Sequence, residues 1–496
     1  MNAAGAASVS KVPACRPRTS PMKQAARGCA LARSEVSTRV RPRAAEHVAN
    51  AGAASGTGAP ACSTPLGIAF FLLLLPLLLP RPARAIVGDS DGGFGLDGSL
   101  RTITAVTGNY DFPLLFGADN STDGLSQSLL RLTMAGRPAD WFGYELHLVG
   151  ELYFTSLPAL ASAGPGLLVP GAGLSRYRLF DLEWRPLSEG DVSTRLWLDR
   201  AALRFSVGPA DITVGRQALT FGKAYFWNPL DVFLAFDPRQ FDRDYKPGVD
   251  ALRVDYALGD FSGLTLVAAA GRTVDATGLA PEGDFADLSW RGAALLLRWF
   301  TSLAGWDLAA QAGKVYGGLH FGAGLSGELG PLAVRGEAAW FQSLDDTPAQ
   351  AEPTARARPS HLQAVLGLGH HFECGLDLQA EFLYNGAGSG GNLLLGMERA
   401  LGGTGFHAGR VLGGLVASYQ ILPILTGSLA WIFSFGDYSS LLQPGLQLSV
   451  SDEADFLFGV MLGLGARPEA TAAGLELNSE FGAWPNVYYL EFKFYF

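Results

Sequence analysis

Residues 488–496 read Tyr-Tyr-Leu-Glu-Phe-Lys-Phe-Tyr-Phe, and every second one is large and apolar. Side chains alternate across a strand, so Tyr488, Leu490, Phe492, Phe494 and Phe496 fall on one face while Tyr489, Glu491, Lys493 and Tyr495 fall on the other. A sheet made of such strands separates an apolar environment from a polar one. The same period of two recurs, in segments of about ten residues, from Ile86 to the end of the chain.

The chain has 496 residues, 63 of them Gly, with 11% aromatic and only 17% charged residues. It is too long for one ordinary core and poor in the charges that solubilise a large globular surface. Outside residues 66–79 there is no apolar run approaching the roughly 20 residues of a membrane helix. Apolar character spread over short alternating strands predicts an all-β fold, a transmembrane antiparallel up-and-down β-barrel. One hairpin sets Leu319, Phe321, Ala323 and Leu325 against His320, Gly322, Gly324 and Ser326, turns at Gly330-Pro331, and returns through Leu332, Val334, Ala338 and Trp340. A second leads from Leu362, Ala364, Leu366 and Leu368 through Cys374-Gly375 to Leu376, Leu378, Ala380, Phe382 and Tyr384. Further strands are expected near Leu132, Leu148, Leu182, Leu203, Ile212, Val254, Leu266, Leu296, Ala310, Leu415, Leu429, Leu448 and Phe458. Long connections are expected at 157–173, 343–360 and 385–405, opposite short turns. At about 24 residues per strand and connection, residues 86–496 supply about 16–18 strands, an even number as such barrels require.

The apolar run at 66–79 is followed by Arg81-Pro82-Ala83-Arg84-Ala85, the small-x-small pattern of a signal-peptidase site. Residues 66–85 are therefore expected to be a signal peptide, residues 86–496 the barrel, and residues 1–65 a disordered or misassigned N-terminal extension. Those first 85 residues hold 11 of the 37 Lys and Arg and 2 of the 46 Asp and Glu, so the remainder carries a net charge near −18. That sign argues against nucleic acid as a partner. Cys15, Cys29 and Cys62 lie upstream and only Cys374 downstream, so a chain processed after Ala85 has no internal disulfide.

Chemistry-bearing residues concentrate between 214 and 253: Gly215-Arg216-Gln217, then Trp227-Asn228-Pro229-Leu230-Asp231, then Gly248-Val249-Asp250-Ala251-Leu252-Arg253. This forty-residue pattern resembles the central region of proteobacterial outer-membrane barrels of the porin and alginate-export-like type. The terminal Phe496 on the apolar face similarly resembles the signal, here Tyr488, Leu490, Phe492, Phe494 and Phe496, that such barrels present to the barrel assembly machinery. The resemblance implies outer-membrane lipid and lipopolysaccharide as surroundings, a small hydrophilic solute as cargo, and location in the outer membrane of a Gram-negative bacterium.

Arg216 ends one strand and Arg253 lies in the next, and the segment between them is too long for a turn. It carries Asp231, Asp237, Arg239, Asp242, Arg243 and Asp244, and the aromatic residues Tyr225, Phe226, Trp227, Phe233 and Phe236. Two folds suit it: a constriction turned into the lumen and held by Arg and carboxylate groups, or a solvated external loop. A second pattern places Arg253, Arg298, Arg335 and Arg410 as a basic stripe opposite Glu328, Glu337, Glu373, Asp377 and Glu381, with mutual neutralisation as the plainer alternative. Lys223, Lys246, Lys314 and Lys493 alone do not support a phosphate-selective pore.

His371 and Glu373 share a strand face, but two ligands do not make a metal site. Asp89, Asp91 and Asp97 lack the spacing and closing Glu of a calcium loop. No His-Ser pairing suggests a hydrolase, and Cys-x-x-Cys-His is absent. Neither catalytic residues nor a cofactor are expected. The sequence thus predicts a passive channel for small hydrophilic solutes or saccharides, with a plugged scaffold or surface-binding barrel as the alternative.

Overall fold

The computed structural model describes residues 87–89, 93–108, 122–156, 177–233, 245–272, 288–344, 359–388, 393, 407–471 and 474–496. Residues 1–85, with the expected extension and signal peptide, lie outside the described residues, as do Asp91, Phe236, Asp237, Arg239, Asp242, Arg243 and Asp244.

In chain order the strands are β1 (Val87–Asp89), β2 (Phe94–Gly108), β3 (Thr122–Ala139), β4 (Phe142–Thr155), β5 (Glu183–Glu189), β6 (Val192–Val207) and β7 (Ala210–Gln217). Next come β8 (Val249–Gly259), β9 (Ser262–Ala269), β10 (Ala294–Leu303), β11 (Trp306–Val315), β12 (Gly318–Leu329), β13 (Leu332–Ser343), β14 (His361–His371) and β15 (Leu376–Asn385). The last are β16 (Val411–Leu422), β17 (Leu425–Ser434), β18 (Ser440–Ser451), β19 (Ala454–Leu464), β20 (Glu469–Thr471), β21 (Gly474–Glu476) and β22 (Asn486–Tyr495).

Each long strand pairs antiparallel with its neighbours, and β22 pairs with both β19 and β2, so 18 strands close into a barrel. Closure leaves none of those strands with an open hydrogen-bonding edge, which is what a sheet in hydrocarbon requires. The short β1 extends the start of β2, and β5 pairs with the half of β6 that β7 does not reach. The strand expected near Leu182 is β5, which begins at Glu183.

Apolar side chains on alternate positions face outward. Leu130, Leu152, Leu203, Leu252, Leu366, Phe382 and Phe458 are all exposed, while their neighbours Arg131, Glu151, Ala202, Ala251, Val365, Glu381 and Leu457 lie on the other face, most of them buried. Exposed aromatic residues gather toward both ends, Trp141 and Phe261 at one and Phe435 and Tyr438 at the other, as at the two interfaces of a membrane barrel.

The ends differ. From the β3–β4 turn to the β18–β19 turn, every connection at one end has four residues or fewer. Ala304 and Gly305, at φ 52° and 82°, make a two-residue turn whose twist suits the flanking strands. Connections at the other end include 156–182, 218–248, 270–293, 344–360 and 386–410. The predicted asymmetry is therefore present, with brief exceptions at 190–191, 316–317 and 435–439. Cys374 lies in the β14–β15 turn and is disulfide-bonded.

Candidate functional site

The segment between β7 and β8 turns inward and crosses the barrel. Two carboxylates on distant strands hold it. Glu381 of β15 accepts the backbone N–H groups of Tyr225, Phe226 (2.7 Å) and Trp227 (3.4 Å). Glu337 of β13 accepts those of Lys223 (2.5 Å), Ala224 (3.2 Å) and Leu230 (3.2 Å). An irregular segment carries backbone donors with no ladder partner, so it can be buried only where acceptors meet it. Gln311 of β11 donates to the Leu230 carbonyl at 2.7 Å, and Arg298 of β10 to the Phe221 carbonyl at 3.1 Å.

Apolar packing completes the docking. Ala224, Phe226 and Trp227 pack with Val365, Leu383, Leu412, Ile432 and Met461 from β14 to β19. Leu219, Phe221 and Phe233 pack with Val249, Val267, Leu296, Val315 and Phe341. The wall opposite is cut back to receive them: a Cβ on Gly414 would lie 2.6 Å from the Phe226 ring, and one on Gly324 2.7 Å from Leu230. Asp231 and Lys246, one near each end of the undescribed stretch, form an ion pair in which both side chains are 1% exposed.

Strands β2 to β8 carry a different inner surface, dense in paired charges. Arg101 pairs with Glu491 across the closing seam, and Gln127 donates to Glu151, which also meets Arg195 at 2.8 Å. Arg131 donates to Asp199 at 2.7 Å and contacts His147 Nδ1 at 3.0 Å, while Arg200 pairs with Glu145 at 2.9 Å. A bulge in β6 sets Leu198 opposite Leu148 but Arg200 opposite His147, which leaves Asp199 as the extra residue and lets two adjacent side chains serve the inner face. Arg216 grips Asp250 through two parallel bonds of 2.6 and 2.9 Å, and donates again to the carbonyls of Leu198 and Phe180. Beside it, in the connection before β5, Arg178 is buried, with Nε and Nη2 lacking hydrogen-bond partners. Burial pushes its guanidinium down to about 10, with Arg216 adding repulsion and Asp199 opposing, so it remains a cation at neutral pH. The returning leg of the in-folded segment lies along this wall, where Tyr245 stacks 4.0 Å from the Arg131 guanidinium.

The residues singled out in the sequence are thus distributed as follows. Arg216 and Asp250 meet each other, Asp231 meets Lys246, and Arg298, Glu337 and Glu381 meet the segment. Arg253 pairs locally with Asp255 at 2.7 Å, Arg335 donates to Gln379, and Arg410 donates to the Gly388 carbonyl at 2.9 Å. Glu328 and Glu373 are exposed at the short-turn end, where Asp377 pairs with His371 at 2.9 Å. The four arginines of the expected stripe therefore do not face its carboxylates as one array. The residues expected at the assembly signal lie on the outer face of β22 or just beyond it. Phe492 there is covered by Phe456, with ring centroids 4.9 Å apart, and Phe494 stacks on Phe496 at 5.6 Å.

Sequence reasoning missed Arg101, Arg131, Glu145, Glu151, Arg178, Arg195 and Asp199. Some signal was there: Arg195, Trp197 and Asp199 share one strand parity, with a guanidinium 4.2 Å above the indole.

No protein-family model and no curated protein sequence matches the chain. Solved structures do. OccAB2 of Acinetobacter baumannii matches with a TM-score of 0.48 and 9% identity, over 83% of this chain and 99% of its own. A BenF-like porin from Pseudomonas fluorescens matches at 0.48 and 11%, over 82% and 99%. The outer membrane protein opdK of Pseudomonas aeruginosa matches at 0.45 and 11%, over 81% and 98%.

Proposed function

We propose that the chain is an outer-membrane channel through which small hydrophilic solutes, saccharides among them, diffuse passively. The observation that carries this reading is the in-folded segment, clamped by Glu337 and Glu381 on one side of a closed barrel while charged side chains line the inner wall of β2 to β8. A barrel of this size encloses an aqueous lumen unless something fills it. The segment narrows that lumen, and the charges of the remaining wall select what passes. On this reading the exposed apolar band meets lipid, lipopolysaccharide surrounds the long-loop end, and the terminal strand serves assembly. A second reading, a plugged barrel acting as scaffold or surface-binding protein, draws on the complete burial of Phe226, Trp227 and Phe233. Conductance of the purified protein in a planar bilayer under a salt gradient separates the two. Stable ohmic steps support the channel; silence from a folded, heat-modifiable barrel sinks it.

A further inference from the structure

Three connections at the long-loop end converge on one imidazole. His407, fully buried ahead of β16, accepts the indole N–H of Trp227 at Nε2 (2.9 Å) and meets Glu480 at Nδ1 (2.6 Å). Glu480, in the connection from β19 to β22, is held in turn by the backbone N–H of Gly409 at 2.9 Å, while its own N–H goes to Asp437 of the β17–β18 connection at 2.7 Å. Asn385 fixes the backbone carbonyls of His407 and Gly409, both at 3.2 Å.

These contacts define a protonation state. An indole N–H only donates, so Nε2 must be a bare acceptor and the ring proton sits on Nδ1, directed at Glu480. A second proton can enter only at Nε2, where it faces the N–H of Trp227 donor to donor. The carboxylates around the ring are Glu480, in contact with it, Asp437 behind Glu480, and Glu381 behind Trp227. Arg410 on the same connection is turned away to Gly388.

We propose that His407 is a pH-operated latch on the in-folded segment. With Nε2 bare it ties the Trp227 end of the segment to the long-loop end of the barrel. Protonation of Nε2 expels the indole, strengthens the bond to Glu480, and frees that end of the segment, so the passage widens in acid. This rests on the channel reading for its consequence, but the latch itself is a matter of Trp227 and His407.

The test follows Trp227 and the pore separately, in the full protein, between about pH 8 and about pH 5, the range in which histidine changes charge. The emission of Trp227 is taken as the difference between wild type and W227F, and conductance is recorded in parallel. H407Q is the decisive variant, because its amide can accept from Trp227 and donate to Glu480 without titrating. The expected result is a reversible red shift of Trp227 emission and a rise in conductance on acidification, both lost in H407Q. An emission that does not move, or that moves equally in H407Q, overturns the latch. Should emission shift as expected while no conductance appears at any pH, the latch stands and the channel reading falls.

Discussion

Replacing Glu381 by Ala tests whether the in-folded segment is held by wall carboxylates. The carboxylate serves three consecutive backbone donors, at Tyr225, Phe226 and Trp227, of which the first two bonds are short and the third is long. A hydrogen bond to a charged group contributes about 1.5–3 kcal/mol net, so losing the two short ones weakens docking by about 3–6 kcal/mol. At 1.4 kcal/mol per factor of ten, that raises the undocked population of the segment by roughly 10²- to 10⁴-fold. Barrel pairing does not depend on these bonds, and E381A should still refold and remain heat-modifiable. Single-channel recordings should show a larger and noisier conductance, with E381Q, which keeps one acceptor and the shape, in between. A variant that folds and conducts as the wild type does would refute the reasoning.

Asp231→Asn removes the carboxylate that Lys246 meets in a site where both side chains are 1% exposed, so it should lower the unfolding temperature of the folded barrel. On the outer wall, Leu366→Arg places a charge at the middle of β14, where the side chain is 57% exposed, and should lower refolding stability into bilayers by about 2–4 kcal/mol; Ser428→Arg, on the inner face, should not. Arg216→Lys loses the two-pronged grip on Asp250 while keeping the charge, whereas Arg216→Met removes the charge. Reversal potentials should therefore move toward cations in R216M and stay near wild type in R216K.

How far the fold could be read in advance depended on what each strand's outward face is made of. The hairpins around Gly330 and Cys374 alternate large apolar residues with polar or small ones, and they lie where expected. Strand β2 escaped notice because Thr102 and Thr104 stand on its outer face and Ile103 and Ala105 on its inner one, which inverts the usual contrast. Near Leu182 a strand does form, β5, but nothing in its own residues shows that it pairs with β6 alone. For the site, the sequence showed that residues 217–248 were too rich in charge and aromatic rings for a turn. It could not show which distant carboxylates would meet them, because Glu337 and Glu381 lie more than 100 residues away and look like any inward-facing Glu. The paired charges of β2 to β8 were hidden similarly: each partner alternates correctly in its own strand, but the pairing belongs to the register between strands.

The closing seam joins residues separated by almost the whole described chain. Arg101 and Glu491 meet across it, Ile103 lies opposite Glu491, and Gly98 leaves room for the Phe496 ring. A slip of one residue would turn Glu491 and Lys493 outward toward the apolar surroundings and bring the phenylalanines inside. The cost of a charge on that face means the last strand cannot settle in the wrong register for long. The seam therefore checks its own alignment as the barrel shuts, and the buried pair acts as a key cut for one position only.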